Sequence, residues 1–325
     1  MNRTQACWIL LFAWLLVPGC RGCEKEPTKP REQPAQKAPA VAAPEADPDS
    51  LSEHLARARR GRGVRFVAPT PEEERTFATW TGQVARAAFS GRLPVAPPPD
   101  GFAGFLAEHG RLWLLAEEPD RKRGAGALVI SPSSSVRLLV EAPHTFFDRN
   151  TLDIALNVFL TSGARALLVN TVHRGSGAAE DERVGVSLAG KSPADSAHAR
   201  HTFFLAAHRA LLETDPALTT LQLHGFRDDA APGVDIIVSA AKTGGNAVAL
   251  ADALRRVLEP NRVRTYPKEI HTLGGTTNVQ AAASRELDSR FFHLEMSASL
   301  RNRLKEDAAL AERFAQALVQ GVVRR

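Results

Sequence analysis

The sequence predicts a three-layer α/β sandwich, with a mixed, largely parallel sheet covered by helices. Three observations predict it. From residue 135 onward, short apolar runs alternate with longer helical stretches, the pattern of strands joined by crossover helices. The chain has 325 residues, 44% of them hydrophobic and 24% charged, enough for one large core. Aromatics make up only 6%, so that core must rest on Leu, Val, Ile and Ala.

Residues 1–19 read as a signal peptide. Arg3 lies in a short polar start, and residues 7–17 (CWILLFAWLLV) form an apolar run of h-region length, short for a bilayer span. Val17-Pro18-Gly19-Cys20 resembles the lipobox of bacterial lipoproteins, which makes Cys20 the expected lipidation site. Arg21, rather than Asp, follows it, so the resemblance directs the anchor to the outer membrane. The chain would then sit in the cell envelope, held to the membrane by lipid. Residues 20–50 are a Pro/Ala-rich tether with no apolar face, unable to offset its own ordering entropy.

Residues 51–325 are read as a single domain. A short helix is expected at 52–60. A second starts at Pro71-Glu72-Glu73-Glu74, whose acidic residues suit the helix dipole, and runs to 89. After a Pro-rich break at 93–99, strands at 112–116 and 126–130 flank a charged turn. Further strands are expected at 136–142, 166–172, 219–224, 234–240, 262–266 and 290–297. Helices are expected at 149–162, 198–214, 245–258 and 299–320. Pro193-Ala194-Asp195-Ser196 supplies N-cap chemistry for the helix at 198. The Gly-rich, acidic segment 175–191 is expected to be a mobile loop over a site.

Composition excludes several chemistries. The net charge of +5 is diffuse, with no basic stripe interleaved with aromatics, so nucleic acid is not an expected partner. Cys7, Cys20 and Cys23 are the only cysteines. The folded part therefore has no disulfide and no thiolate nucleophile, and its metal ligands must be His, Asp or Glu. No His-Glu-x-x-His, P-loop or CxxC motif occurs. The stretch 185–190 misses nucleophile-elbow spacing by one residue. The turn 242–246 (KTGGN) is either an anion site at a helix N-terminus or a tight connection.

The residues with chemistry lie at strand ends, where open α/β sheets build their sites. Pro143 ends one strand and places His144 beyond it. Asp148 follows four residues later, either as a second metal ligand or as a helix N-cap; Glu141 is the reserve carboxylate. His224 follows Leu221-Gln222-Leu223 and precedes Gly225, either as a ligand or as a satisfied strand-end histidine. Zinc accepts such N and O donors. Glu295 sits in an apolar strand, where burial would raise its pKa toward that of a general base. Alternatively it shares a solvent face with His293 and Ser297. His198, His201 and His208 can share one helical face and form a rival metal cluster. Arg174, at the end of another strand, can clamp a substrate carboxylate.

Residues 136–301 resemble the N-formylglutamate amidohydrolase-like family, one of the zinc carboxypeptidase-like hydrolases. The carrying pieces are Ala142-Pro143-His144 with Asp148, Asn170 to Arg174, Leu221-Gln222-Leu223-His224-Gly225, and the late strand with Glu295 followed by Leu300-Arg301. The resemblance implies a phosphorylase/hydrolase-like fold. His144, a nearby acidic residue and His224 would hold Zn2+, Glu295 would activate water, and Arg174 would bind a carboxylate-bearing substrate. Two departures stand out: position 147 is Phe where carboxypeptidases carry Glu, and Thr145-Phe146 replaces the amidohydrolase Ser-Gly. The expected activity is zinc-dependent hydrolysis of an amide or peptide bond. The alternative is a lipoprotein that binds a ligand without catalysis.

Overall fold

The computed structural model describes residues 50–59, 64–94, 96–176, 192–241 and 246–323. The expected signal peptide and Cys20, the expected tether up to residue 49, and residues 177–191 and 242–245 of the expected loop and turn lie outside them. Two helices, α1 (Leu51–Arg59) and α2 (Pro71–Phe89), open the described chain. A capping box starts α2: the Thr70 side chain accepts from Glu73 N, and Glu73 accepts from Thr70 N.

Nine strands follow: β1 (Phe102–Ala107), β2 (Leu112–Glu117), β3 (Ala127–Ile130), β4 (Val136–Ala142), β5 (Ala164–Val169), β6 (Thr219–Phe226), β7 (Ile236–Ala240), β8 (Val263–Thr265) and β9 (Phe291–Ser297). They form one mixed sheet in the order β1-β2-β3-β5-β4-β6-β9-β7-β8. The centre, β5-β4-β6-β9, is parallel. Antiparallel pairs flank it at β3–β5 and β7–β9. The remaining α-helices among the described residues are α3 (Thr151–Ser162), α4 (Phe203–Thr214), α5 (Asn246–Arg255), α6 (Val279–Glu286), α7 (Ala298–Glu306) and α8 (Ala308–Val323).

Strand alternation sorts the core. Val140 and Ala142, Leu221 and Leu223, and Phe292, Leu294 and Met296 pack on one face with residues of α1, α3, α5, α7 and α8. Leu139, Ala166 and Leu168 pack on the other face with α2 and α4. The chain runs from β4 to β5 on one side and later to β6 on the other. The crevice between the carboxyl ends of β4 and β6 is thus the switch point at which open α/β sheets receive ligands.

Three expectations change. Helix α4 begins at Phe203, not 198, and its cap is Thr202, which accepts from Leu205 N. The segment with Asp195 forms turns instead. The stretch 299–320 divides into α7 and α8, because Asp307 takes an extended conformation and its carboxylate accepts from Leu310 N. Strand β1 and helix α6 were not expected. The first is an edge strand with an exposed middle; the second, VQAAASRE, has no large apolar stripe to announce it.

Candidate metal centre

Pro143 ends β4, and the turn after it returns Asp148 toward His144: Asp148 N donates to His144 O at 2.8 Å. The two side chains meet as well, with His144 Nδ1 3.4 Å from Asp148 Oδ2. On the neighbouring strand His224 brings its Nδ1 to 3.2 Å from His144 Nδ1 and 3.7 Å from Asp148 Oδ2. All three residues are buried. Asp148 is not an N-cap, since Asn150 occupies that position of α3. Its Oδ2 accepts from Gly225 N at 3.0 Å instead.

The outer ring nitrogens are committed elsewhere. His144 Nε2 donates to Asp195 Oδ1 at 2.8 Å, and His224 Nε2 donates to Gln222 Oε1 at 2.7 Å. Each imidazole therefore turns its Nδ1 toward the other and toward a carboxylate. Such partners fix the tautomer of metal-binding histidines. The electrostatics point the same way. Burial depresses the His144 pKa, but bonds to Asp148 and Asp195 outweigh it and leave it raised. Burial opposes ionisation of Asp148, yet bonds from His144 and His224 hold its carboxyl well below the usual range. Desolvation pushes His224 down to about 4, so it is neutral near pH 7. The corner favours a positive charge at the point where the three atoms converge, and the donor set suits a metal ion.

Asp195 is the site residue that the sequence reading assigned elsewhere. Its carboxylate accepts from His144, from His198 Nδ1 at 2.9 Å and from Arg174 Nη2 at 2.6 Å. The three-histidine cluster dissolves. His198 joins Asp195, while exposed His201 pairs with Glu74 and buried His208 pairs with Glu141. Because residues 198–202 are not helical, their spacing never places them on one helical face. Glu141 points to the face opposite Val140 and Ala142 and bonds His208 and Gln222, so it is no reserve ligand.

Glu295 pairs directly with His224 across β6 and β9. One donor atom each of His224, His293 and Glu295 falls within 4.8 Å of the others. The Glu295 side chain is 12% exposed, and its Oε2 is buried without a hydrogen-bond partner. Desolvation, aided by Asp148, pushes its pKa up to about 8. His293 and Ser297 are buried, so no solvent face exists on β9. With its Nε2 held by Gln222, His224 has only Nδ1 to offer, so this group shares that one atom with the His144–Asp148 corner.

These groups line a cleft of about 790 Å3, whose walls include Phe147, Arg174 and the 273–278 loop. Gly275, at φ +63, lies so close to His293 that an added Cβ would meet the ring at 2.8 Å. Phe147 is 58% exposed at the rim, with the Arg174 guanidinium 5.0 Å from its ring centroid. Arg301, which also lines the cleft, donates to the carbonyls of Met296, Phe226 and Arg149.

No protein-family model matches the sequence, and no curated protein matches it. Among solved structures the chain is similar to N-formylglutamate amidohydrolase from Ralstonia eutropha JMP134. The identity is 12%, covering 60% of this chain and 96% of that one, with a TM-score of 0.38. It is also similar to a bacteriophage poly-gamma-glutamate hydrolase (11% identity, 62% and 89% covered, TM-score 0.38). A third is metallo-carboxypeptidase from Burkholderia cenocepacia (11% identity, 79% and 69% covered, TM-score 0.37). Similarity this distant does not transfer an activity.

Proposed function

We propose that the chain is a zinc-dependent hydrolase of an amide or peptide bond in a carboxylate-bearing substrate. One observation carries this reading. His144 Nδ1, His224 Nδ1 and Asp148 Oδ2 form a triangle with edges of 3.2, 3.4 and 3.7 Å. Ligands at ~2.0–2.2 Å in a zinc tetrahedron are about 3.3–3.6 Å apart. His144, His224 and Asp148 would hold the ion, which when bound would polarise the scissile carbonyl and acidify water.

The rest follows from the chain's own groups. Glu295 Oε2, free of other bonds, accepts the proton of the attacking water and returns it to the leaving nitrogen. Positive charge at the neighbouring corner favours its ionised form. Arg174 has Nη2 held by Asp195 and Nη1 3.5 Å from His144 Nδ1, which fixes its guanidinium at the cleft wall, where it would meet a substrate carboxylate. The export reading belongs with this proposal: residues 7–17 and the lipobox-like Val17-Pro18-Gly19-Cys20 support a lipid-anchored protein of the cell envelope.

Metal analysis of the purified protein tests the proposal. About one zinc per chain is expected, lost in His144→Ala or His224→Ala. A folded protein that takes up no metal would overturn it.

A further inference from the structure

Beneath the ligand corner runs a line of buried polar side chains that the proposed steps leave unused. Gln222 Oε1 accepts from His224 Nε2 at 2.7 Å and from Asn278 Nδ2 at 2.5 Å. Gln222 Nε2 donates to Glu141 Oε2 at 2.9 Å. Glu141 Oε1 accepts from His208 Nδ1 at 2.8 Å, and His208 Nε2 lies 3.1 Å from Ser284 Oγ. Ser284, His208 and Glu141 are ordered like a nucleophile–base–acid triad. All three are 0% exposed, so no substrate reaches them and the line has another use.

A side-chain amide can face either way, so its neighbours decide its direction. Two locks act on Gln222. Its NH2 faces a Glu141 oxygen, where a flipped amide would set oxygen against oxygen. Asn278 supplies the second: its Oδ1 is taken by Ala281 N, the cap of α6, so its Nδ2 must point at Gln222. The Gln222 oxygen is therefore forced toward His224, which can answer only with Nε2–H. A proton on Nε2 leaves the lone pair on Nδ1, the atom that faces His144 and Asp148.

We propose that Gln222, held by Glu141 and Asn278, is a positioning residue that fixes His224 in the Nε2–H tautomer and so readies Nδ1 for the metal. This rests on the metal reading above. Removing such outer partners weakens metal binding by ~10–100-fold.

The test begins with metal-stripped, 15N-histidine-labelled full chain near pH 7.5. Long-range 1H–15N spectra, with His224 assigned through His224→Asn, should show the Nε2–H form; an Nδ1–H form overturns the proposal. Gln222→Met should weaken zinc, read by chelator competition, by ~10–100-fold and mix the tautomers. A Gln222→Met chain with wild-type melting and unchanged zinc affinity overturns it. The exchange Glu141→Gln with Gln222→Glu keeps a donor opposite an acceptor between these two residues, at the loss of the Gln222 Nε2 bond to Gln280 Oε1, and should restore much of the affinity and the tautomer, even where Gln222→Met fails to fold. A folded exchange variant that binds zinc as weakly as Gln222→Met overturns the proposal. Wild-type chain that binds no zinc strikes the metal reading instead, and the tautomer of the metal-free chain still decides the role of Gln222.

Discussion

Glu295→Gln should stabilise the metal-free protein, and by an amount that grows with pH. Folding takes the Glu295 carboxyl from an ordinary value of 4.5 up to about 8. The folded state therefore holds this proton more tightly than the unfolded state. The stability tied to it is complete below 4.5 and lost as pH rises to about 8. At ~1.4 kcal/mol per tenfold in proton affinity, the full loss is ~5 kcal/mol, of which ~4 falls between about pH 5 and pH 9. Gln keeps the shape and cannot ionise, so the variant escapes this loss, while all other titrating groups are common to both proteins. Urea unfolding in chelator across that range is the assay. The gap between variant and wild type should open steadily and level off above about pH 8. With saturating zinc it should shrink, because a nearby cation favours the ionised carboxylate. A gap independent of pH would show that Glu295 is not desolvated as described and would remove the reason for its role as base.

Further outcomes are expected. With zinc bound, Glu295→Gln should retain the metal and lose amide hydrolysis; unchanged turnover would take Glu295 out of the chemistry. Asp195→Asn should weaken zinc by ~10–100-fold by loosening His144, read by chelator competition. Gly225→Ala should cost ~1–3 kcal/mol in urea unfolding, because the new Cβ would lie 2.4 Å from Arg301 Cζ. Arg174→Lys should raise KM for a carboxylate-bearing substrate more than it lowers kcat, since a fork of donors becomes a point charge.

The sheet was legible because its signal is local. Val140 and Ala142 alternate with Leu139 and Glu141 in the sequence as they do across the sheet. His144, Asp148, His224 and Glu295 were legible for a related reason: each stands at a strand end or breaks an apolar run. Asp195 was not. Pro193-Ala194-Asp195-Ser196 looks the same whether it caps a helix or ends in a histidine's partner. The choice is made by β4, which brings His144 to it across 51 residues of chain. His198, His201 and His208 misled for the converse reason, since their spacing has meaning only within a helix, and α4 starts after the first two. Glu141 could be placed on its face but not given its partner, because His208 comes from α4, which packs on that same face but lies 67 residues further along the chain.

Arg301 bears on how an ion would enter. Its guanidinium ties Phe226, Met296 and Arg149, the backbone at the ends of β6 and β9 and at the approach to α3. Opening the floor would release three carbonyls at once in a buried setting, each costing free energy if left unmatched. The backbone beside Asp148 and His224 is thus tied by contacts that need no ion. Loading and stripping would be exchange reactions of a finished protein, unlike small domains whose folding free energy is the metal's own. Dialysis against a chelator should yield a chain that keeps its far- and near-ultraviolet dichroism and regains metal without passing through an unfolded state.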